Sequence, residues 1–221
     1  MRGCYLRDDI ARDPDKALAW MRAAGLDTAA VNVAHRDTLT ALAQAKIDTW
    51  VFALPDLWMP TRWRTTLIRC VEAARSCKAR GVLPDPEMGW SGADKSERLA
   101  LRDTLAATVR GGTGVLVTTH DGLRRFARYL AGELGPLGVV GSPQVYDHQR
   151  GETLDRPARI CTEWDAHGWA AVVPSVGSFG RDTESFRAYF AALPKDRGGL
   201  IWYAGDAPKG KRLDAIREWA A

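Results

Sequence analysis

The sequence predicts an α/β chain folded as a single-domain (β/α)8 TIM barrel. Short apolar runs alternate with helix-like stretches through all 221 residues. The cycle recurs at the spacing of βα units, eight times in all. The apolar runs carry hydrophobic residues on both faces, as strands of a buried parallel sheet do. A doubly wound open sheet is the competing arrangement. No low-complexity segment or long linker interrupts the chain, so residues 1–221 read as one domain.

Gly3 to Leu6 is the first expected strand, followed by the polar loop Arg7-Asp8-Asp9. Asp13-Pro14 is a cap and first-turn signal for a helix through Ala24, which Gly25 closes. Thr28 to Ala34 forms the second strand, and Asp37 caps a short helix to about Ala45. Thr49 to Leu54 forms the third, leading through Pro55-Asp56-Leu57-Trp58 into a helix from Thr61 to about Arg80. Gly81 to Pro84 is the fourth, and Asp94 to Arg110 the helix after it, stopped by Gly111-Gly112. Gly114 to Thr119 is the fifth strand, ending at His120-Asp121 before an amphipathic helix to about Leu134. Leu137 to Gly141 is the sixth, with a long polar exit through Gln144, Tyr146, Asp147 and His148. A helix around Leu154 to Ala166 precedes the seventh strand, Ala170 to Pro174, and a helix from near Asp182 to Ala192 follows it. Gly199 to Tyr203 is the eighth, before a terminal helix from about Lys209.

Hydrophobic content of 46% and charged content of 26% suit a globular chain and argue against disorder. No apolar run reaches the length of a membrane span, and Met1-Arg2-Gly3-Cys4 lacks a signal-peptide core. Synthesis in the cytoplasm is expected, with release to a cell wall only by another route. The net charge of +4 favours an anionic partner such as a cell wall or nucleic acid, although scattered surface cations explain it equally well. No nucleic-acid module is visible. Cys4, Cys70, Cys77 and Cys161 form no C-x-x-C and read as reduced, buried thiols.

Barrel enzymes build their sites at the carboxyl ends of strands. The residues so placed are Asp8, Asp9, Asn32, His35, Asp56, Trp58, Asp85, Glu87, Trp90, His120, Gln144, Tyr146, Asp147, Trp202, Tyr203 and Asp206. Acids and aromatics dominate, which points to sugar chemistry. Glycosidic cleavage needs a carboxylic acid to protonate the leaving oxygen, and a second group for the developing cation. Aromatic rings hold the apolar faces of sugars.

The stretch Gly81-Val82-Leu83-Pro84-Asp85-Pro86-Glu87-Met88-Gly89-Trp90 is the most specific signal. Period-two alternation puts Asp85 and Glu87 on one side of the strand exit, roughly 6 to 7 Å apart at their Cα atoms. Pro84 and Pro86 remove two backbone donors, which marks a strand end. A solvated loop with a capping acid is the plainer alternative. Trp58, Trp90, Trp202, Tyr146 and Asp147 are the candidate substrate-binding residues, although several of the nine tryptophans must only pack helices on the barrel.

The four histidines show no H-x-H or H-E-x-x-H spacing, and no metal or cofactor is expected; a metal site from His35, His120, Asp85 and Glu87 is the alternative. The glycines at 177, 180 and 205 follow the last two strands, where barrels often bind phosphate, but turn geometry also demands them.

With Asp85-Pro86-Glu87 after the fourth strand and Leu200-Ile201-Trp202-Tyr203-Ala204 at the last, the chain resembles the family-25 glycoside hydrolases. It is also similar to the glycoside-hydrolase-like barrels found with phage lysins. The resemblance implies a barrel lysozyme that cuts peptidoglycan, Glu87 as general acid and Asp85 as its carboxylate partner. The family carries an aspartate on its first strand where this chain has Gly3-Cys4-Tyr5-Leu6, so Asp8 or Asp9 would have to substitute. The expectation is a monomeric glycoside hydrolase with a polysaccharide substrate, and no nucleic-acid or membrane partner. A catalytically silent glycan-binding or structural barrel, and a metal- or phosphate-dependent barrel enzyme, are the alternatives.

Overall fold

The computed structural model describes residues 1–87, 89–120, 123–145, 156–178, 187–188, 190–191, 193, 196–203 and 206–221. Its strands are β1 (Arg2–Leu6), β2 (Thr28–Asn32), β3 (Asp48–Phe52), β4 (Gly81–Leu83), β5 (Gly114–His120), β6 (Val140–Val145), β7 (Ala171–Val172), β8 (Ser175–Ser178) and β9 (Gly199–Tyr203). All pairings are parallel, in the order β5-β4-β3-β2-β1-β9-β8-β6, and β5 pairs back onto β6 to close the ring. Both β7 and β8 pair with β6, so they form one stave interrupted at Val173-Pro174. The result is the closed eight-stave parallel barrel that the alternating pattern predicts.

The helices that lie wholly within the described residues are α1 (Asp8–Ala11), α2 (Pro14–Ala24), α3 (Arg36–Gln44), α4 (Trp63–Ser76), α5 (Lys95–Arg110), α6 (Arg124–Leu134), α7 (Arg156–Asp165) and α8 (Lys211–Ala220). Local chemistry sets their ends. The Asp13 carboxylate accepts from the Asp15 and Lys16 amides, Pro14 occupies the first turn, and Gly25 closes α2 at φ 68°. Asp94 caps α5 by accepting from the Glu97 amide.

Alternate strand residues divide two cores. Tyr5, Ala30, Trp50, Phe52, Leu83, Leu116 and Leu200 fill the barrel interior. Their neighbours, among them Leu6, Val31, Val51, Val82, Val117, Val145 and Ile201, face outward and bury the helical layer. Gly81 and Gly114 let β4 and β5 approach closely: a Cβ on Gly81 would stand 2.2 Å from the Gly114 carbonyl oxygen, and one on Gly114 2.8 Å from the Arg80 carbonyl oxygen.

Two expectations shift. The sixth strand was expected over Leu137 to Gly141, but Gly135–Leu137 is a 3-10 turn, Gly138 adopts φ 87°, and the strand runs Val140–Val145. Gln144 is therefore a strand residue aimed into the barrel rather than part of a polar exit. The expected loop Arg7-Asp8-Asp9 instead starts α1. All four cysteines are buried free thiols, and burial pushes the Cys70 thiol up to about 12 and that of Cys161 to about 11.

Candidate active site

After Leu83 the chain stays extended and is fastened to β5. The Thr118 amide donates to the Pro84 carbonyl at 2.9 Å, and the Thr119 hydroxyl to the Pro86 carbonyl at 3.1 Å. The prolines lack donors but not acceptors, and both carbonyls are used. This fixes the exit and turns Asp85 and Glu87 toward the barrel axis, as alternation from Leu83 requires.

Gln144 joins the two acids. Its Nε2 donates to Asp85 Oδ1 at 2.9 Å and also to Glu87 Oε1. The Asp85 and Glu87 carboxyls are also within hydrogen-bonding reach of each other. Burial holds the Asp85 carboxyl well above the ordinary range, the Glu87 charge and hydrogen bond push the same way, and the Gln144 bond opposes.

Beneath the pair lies a floor of hydroxyls. Tyr5 Oη is 2.9 Å from Ser175 Oγ, which is 2.8 Å from Ser142 Oγ, and the buried Thr118 hydroxyl faces the same interior. Burial first, and then the Asp85 charge, raise the Tyr5 phenol, which stays a neutral donor. Trp202 stands edge-on above Tyr5, ring centres 5.4 Å apart at 70°, and is partly exposed. Arg7 lies against Trp202, its Cζ 5.8 Å from the ring centre.

The structure thus brings together Asp85, Glu87, Gln144 and Trp202 from the expected set, and adds Tyr5, Arg7, Thr118, Ser142 and Ser175. Asp8 is a correction. Strand β1 ends at Leu6 and α1 carries Asp8 to the rim, where its side chain is 61% exposed and bonded to Arg12 at 3.0 Å and His35 Nε2 at 2.8 Å. The His35 and Arg12 bonds lower its pKa, and it makes no contact with the acid pair. Asp9 does not replace it, since it accepts from the Ala207 amide at 2.8 Å and the Tyr203 hydroxyl.

Trp58 and Trp90 are also corrections, for both are 0% exposed and belong to the outer core. Trp58 donates to the Ala53 carbonyl and Trp90 to the Trp58 carbonyl. Trp90 stacks on Phe126, ring centres 5.1 Å apart, so neither indole keeps a face for a sugar. Tyr203 faces outward against Trp20. Tyr146, Asp147, Phe179, Gly180 and Gly205 lie outside the described residues.

Among the described residues, no three His, Cys, Asp or Glu side chains are grouped to hold a metal, and no helix is long and apolar enough to cross a membrane. Two cavities of about 420 and 430 Å³ lie at the opposite, amino-terminal face, one beside Arg2 and Trp219 and one beside Lys46 and Arg80. In barrels that face serves stability, and sites are built at the opposite, carboxyl-terminal face, where Asp85 and Glu87 stand.

No protein-family model matches the chain, and no curated protein does. Solved structures do. A chitinase from Chromobacterium violaceum is 12% identical at a TM-score of 0.66, with 100% of this chain and 99% of that one covered. A beta-mannanase from Streptomyces thermolilacinus is 14% identical at 0.66, covering 99% and 85%. The 3-keto-D-glucoside 4-epimerase of E. coli is 15% identical at 0.61, covering 98% and 96%. Fructose 1,6-bisphosphate aldolases match as well. At these identities the likeness establishes the TIM-barrel fold. Glycosidases, aldolases and an epimerase share it, so function has to be argued from the site.

Proposed function

We propose that the chain is a glycoside hydrolase acting on an amino-sugar polymer, with cell-wall peptidoglycan as the substrate. The observation that carries this reading is the Gln144 clamp on Asp85 and Glu87, which holds two carboxyls side by side at the open end of the barrel. Glu87, the outer of the two, donates the proton to the leaving glycosidic oxygen. Asp85, held from below by Gln144, stabilises the developing cation or orients the substrate's N-acetyl group. Trp202 is the sugar platform.

Carboxyls within hydrogen-bonding reach of each other leave no gap for the water that inverting enzymes place between acids about 6.5–9.5 Å apart. The arrangement therefore favours retention through the substrate's own acetamido group, which Asp85 orients. The family-25 resemblance, carried by Asp85-Pro86-Glu87 and the aromatic last strand, supports the peptidoglycan assignment. The chitinase and the mannanase among the similar structures fit a glycan-cleaving site on this barrel.

The test is turbidity loss of a purified peptidoglycan suspension, with wild type and the Asp85→Asn, Glu87→Gln double variant side by side. Clearing by wild type alone supports the reading. A folded wild type that sediments with the wall without clearing it would favour a silent glycan-binding barrel.

A further inference from the structure

Arg7 is the first residue after β1 and takes the next inward position beyond Tyr5. Its guanidinium is held in two ways. Nη1 donates to the Tyr203 carbonyl at 3.2 Å, and the group lies over Trp202, 5.8 Å from the ring centre. The Arg7 amide also donates to the Tyr203 hydroxyl at 3.2 Å, which fixes the backbone beneath it. Among the described residues no carboxylate pairs with this guanidinium, although the side chain is partly buried. Other barrel-end arginines do have partners: Arg12 pairs with Asp8, and Arg64 with Glu97.

A partly buried cation without a counter-ion is costly unless something brings the anion to it. Of the five N–H donors of a guanidinium, the carbonyl occupies one, which leaves a fork of the shape that carboxylates fit. Position supplies the rest. In the ring order, β1 and β9 stand across the barrel from β4 and β5, so Arg7 faces the acid pair across the mouth rather than neutralising it. The contacts Arg7 to Trp202 to Tyr5 place the free charge at the edge of the same sugar platform.

We infer that Arg7 binds a free lactyl carboxylate, so that the substrate class is an acidic wall glycan with units that carry no stem peptide, the charged sugar sitting over Trp202; this rests on the glycan-cleaving reading of the site. The guanidinium makes a forked pair with the sugar carboxylate, while the linkage to be broken reaches Glu87 on the far side.

The experiment uses the Glu87→Gln protein, to block turnover, and measures binding of two tetrasaccharides by calorimetry. One is neutral chitotetraose, and the other a peptide-free chain of alternating N-acetylglucosamine and N-acetylmuramic acid with free lactyl carboxylates. The acidic chain is expected to bind roughly tenfold tighter or more, as a charge-assisted forked pair allows. Adding Arg7→Gln should bring the two affinities to within about twofold of each other, and Arg7→Lys should keep part of the preference. Equal affinity of the Glu87→Gln protein for both chains, or a preference that survives Arg7→Gln in a protein of unchanged melting temperature, overturns the inference and leaves the glycan reading standing. Binding of neither chain overturns both.

Discussion

Gln144 Nε2 lies 2.9 Å from Asp85 Oδ1, joining β6 to the exit of β4 across 59 residues of sequence. The same nitrogen holds Glu87, so a neutral amide from a neighbouring stave sets the geometry of both acids. Gln144→Leu leaves two carboxyls without their donor. It is expected to cost about 1–3 kcal/mol of stability and to lower turnover at least tenfold. Thermal unfolding and initial rates on one preparation check both.

Asp85→Asn separates stability from activity. The raised Asp85 pKa means that the folded state keeps a proton which the unfolded chain gives up near the ordinary value, about 3.9. That contribution is full below the unfolded pKa and is lost as pH rises through the folded one. An asparagine accepts from Gln144 and donates to Glu87, keeping both bonds while removing the titration. The variant is expected to melt a few degrees higher than wild type at neutral pH, with no such gain near pH 3, and to be inactive. Melting curves across that range test the sign.

The tryptophans divide by place. Trp90→Ala removes a buried ring stacked on Phe126 and should cost about 3–5 kcal/mol, with binding affected only through folding. Trp202→Ala should leave melting within a few degrees of wild type and weaken glycan binding roughly tenfold, as loss of a sugar platform would. Melting temperature and a binding isotherm for each variant distinguish the roles.

Asp8 is expected to be dispensable for catalysis. Asp8→Asn removes an exposed pair with Arg12 and the His35 bond, each worth at most about 1 kcal/mol. Because those partners lower its pKa, their stabilisation is present above the unfolded value and fades as pH falls below it. Turnover within about twofold of wild type is the expected outcome. A hundredfold loss in a folded protein would return Asp8 to the catalytic set.

The barrel was legible because its strands are buried on both sides and read as apolar runs, and Asp85-Pro86-Glu87 was legible because proline punctuates the strand end. What stayed hidden follows from the same rule. The functional end of β6 carries inward Ser142 and Gln144, and β8 begins with inward Ser175, so these stretches look like loops to a hydrophobicity pattern. Tyr5 sits within a strand, where alternation from Gly3 marks it as inward, yet nothing nearby in sequence says that Ser175 awaits it 170 residues on. Trp58 and Trp90 follow strands, as site residues do, but their rings turn back over the helical layer, which spacing alone does not reveal. Asp8 was misplaced because only Arg7 separates the end of β1 from the start of α1, which carries the Asp8 side chain to the rim.

The most direct measurement is release of reducing ends from purified peptidoglycan by wild type, Glu87→Gln and Asp85→Asn, at matched folded concentration. Steady release by wild type is expected, with Glu87→Gln slower by about 100- to 10,000-fold, the range that loss of a general acid produces. Release by Glu87→Gln at the wild-type rate would contradict the assignment of the acid, and with it the claim that the Gln144-clamped pair is the centre of the chemistry.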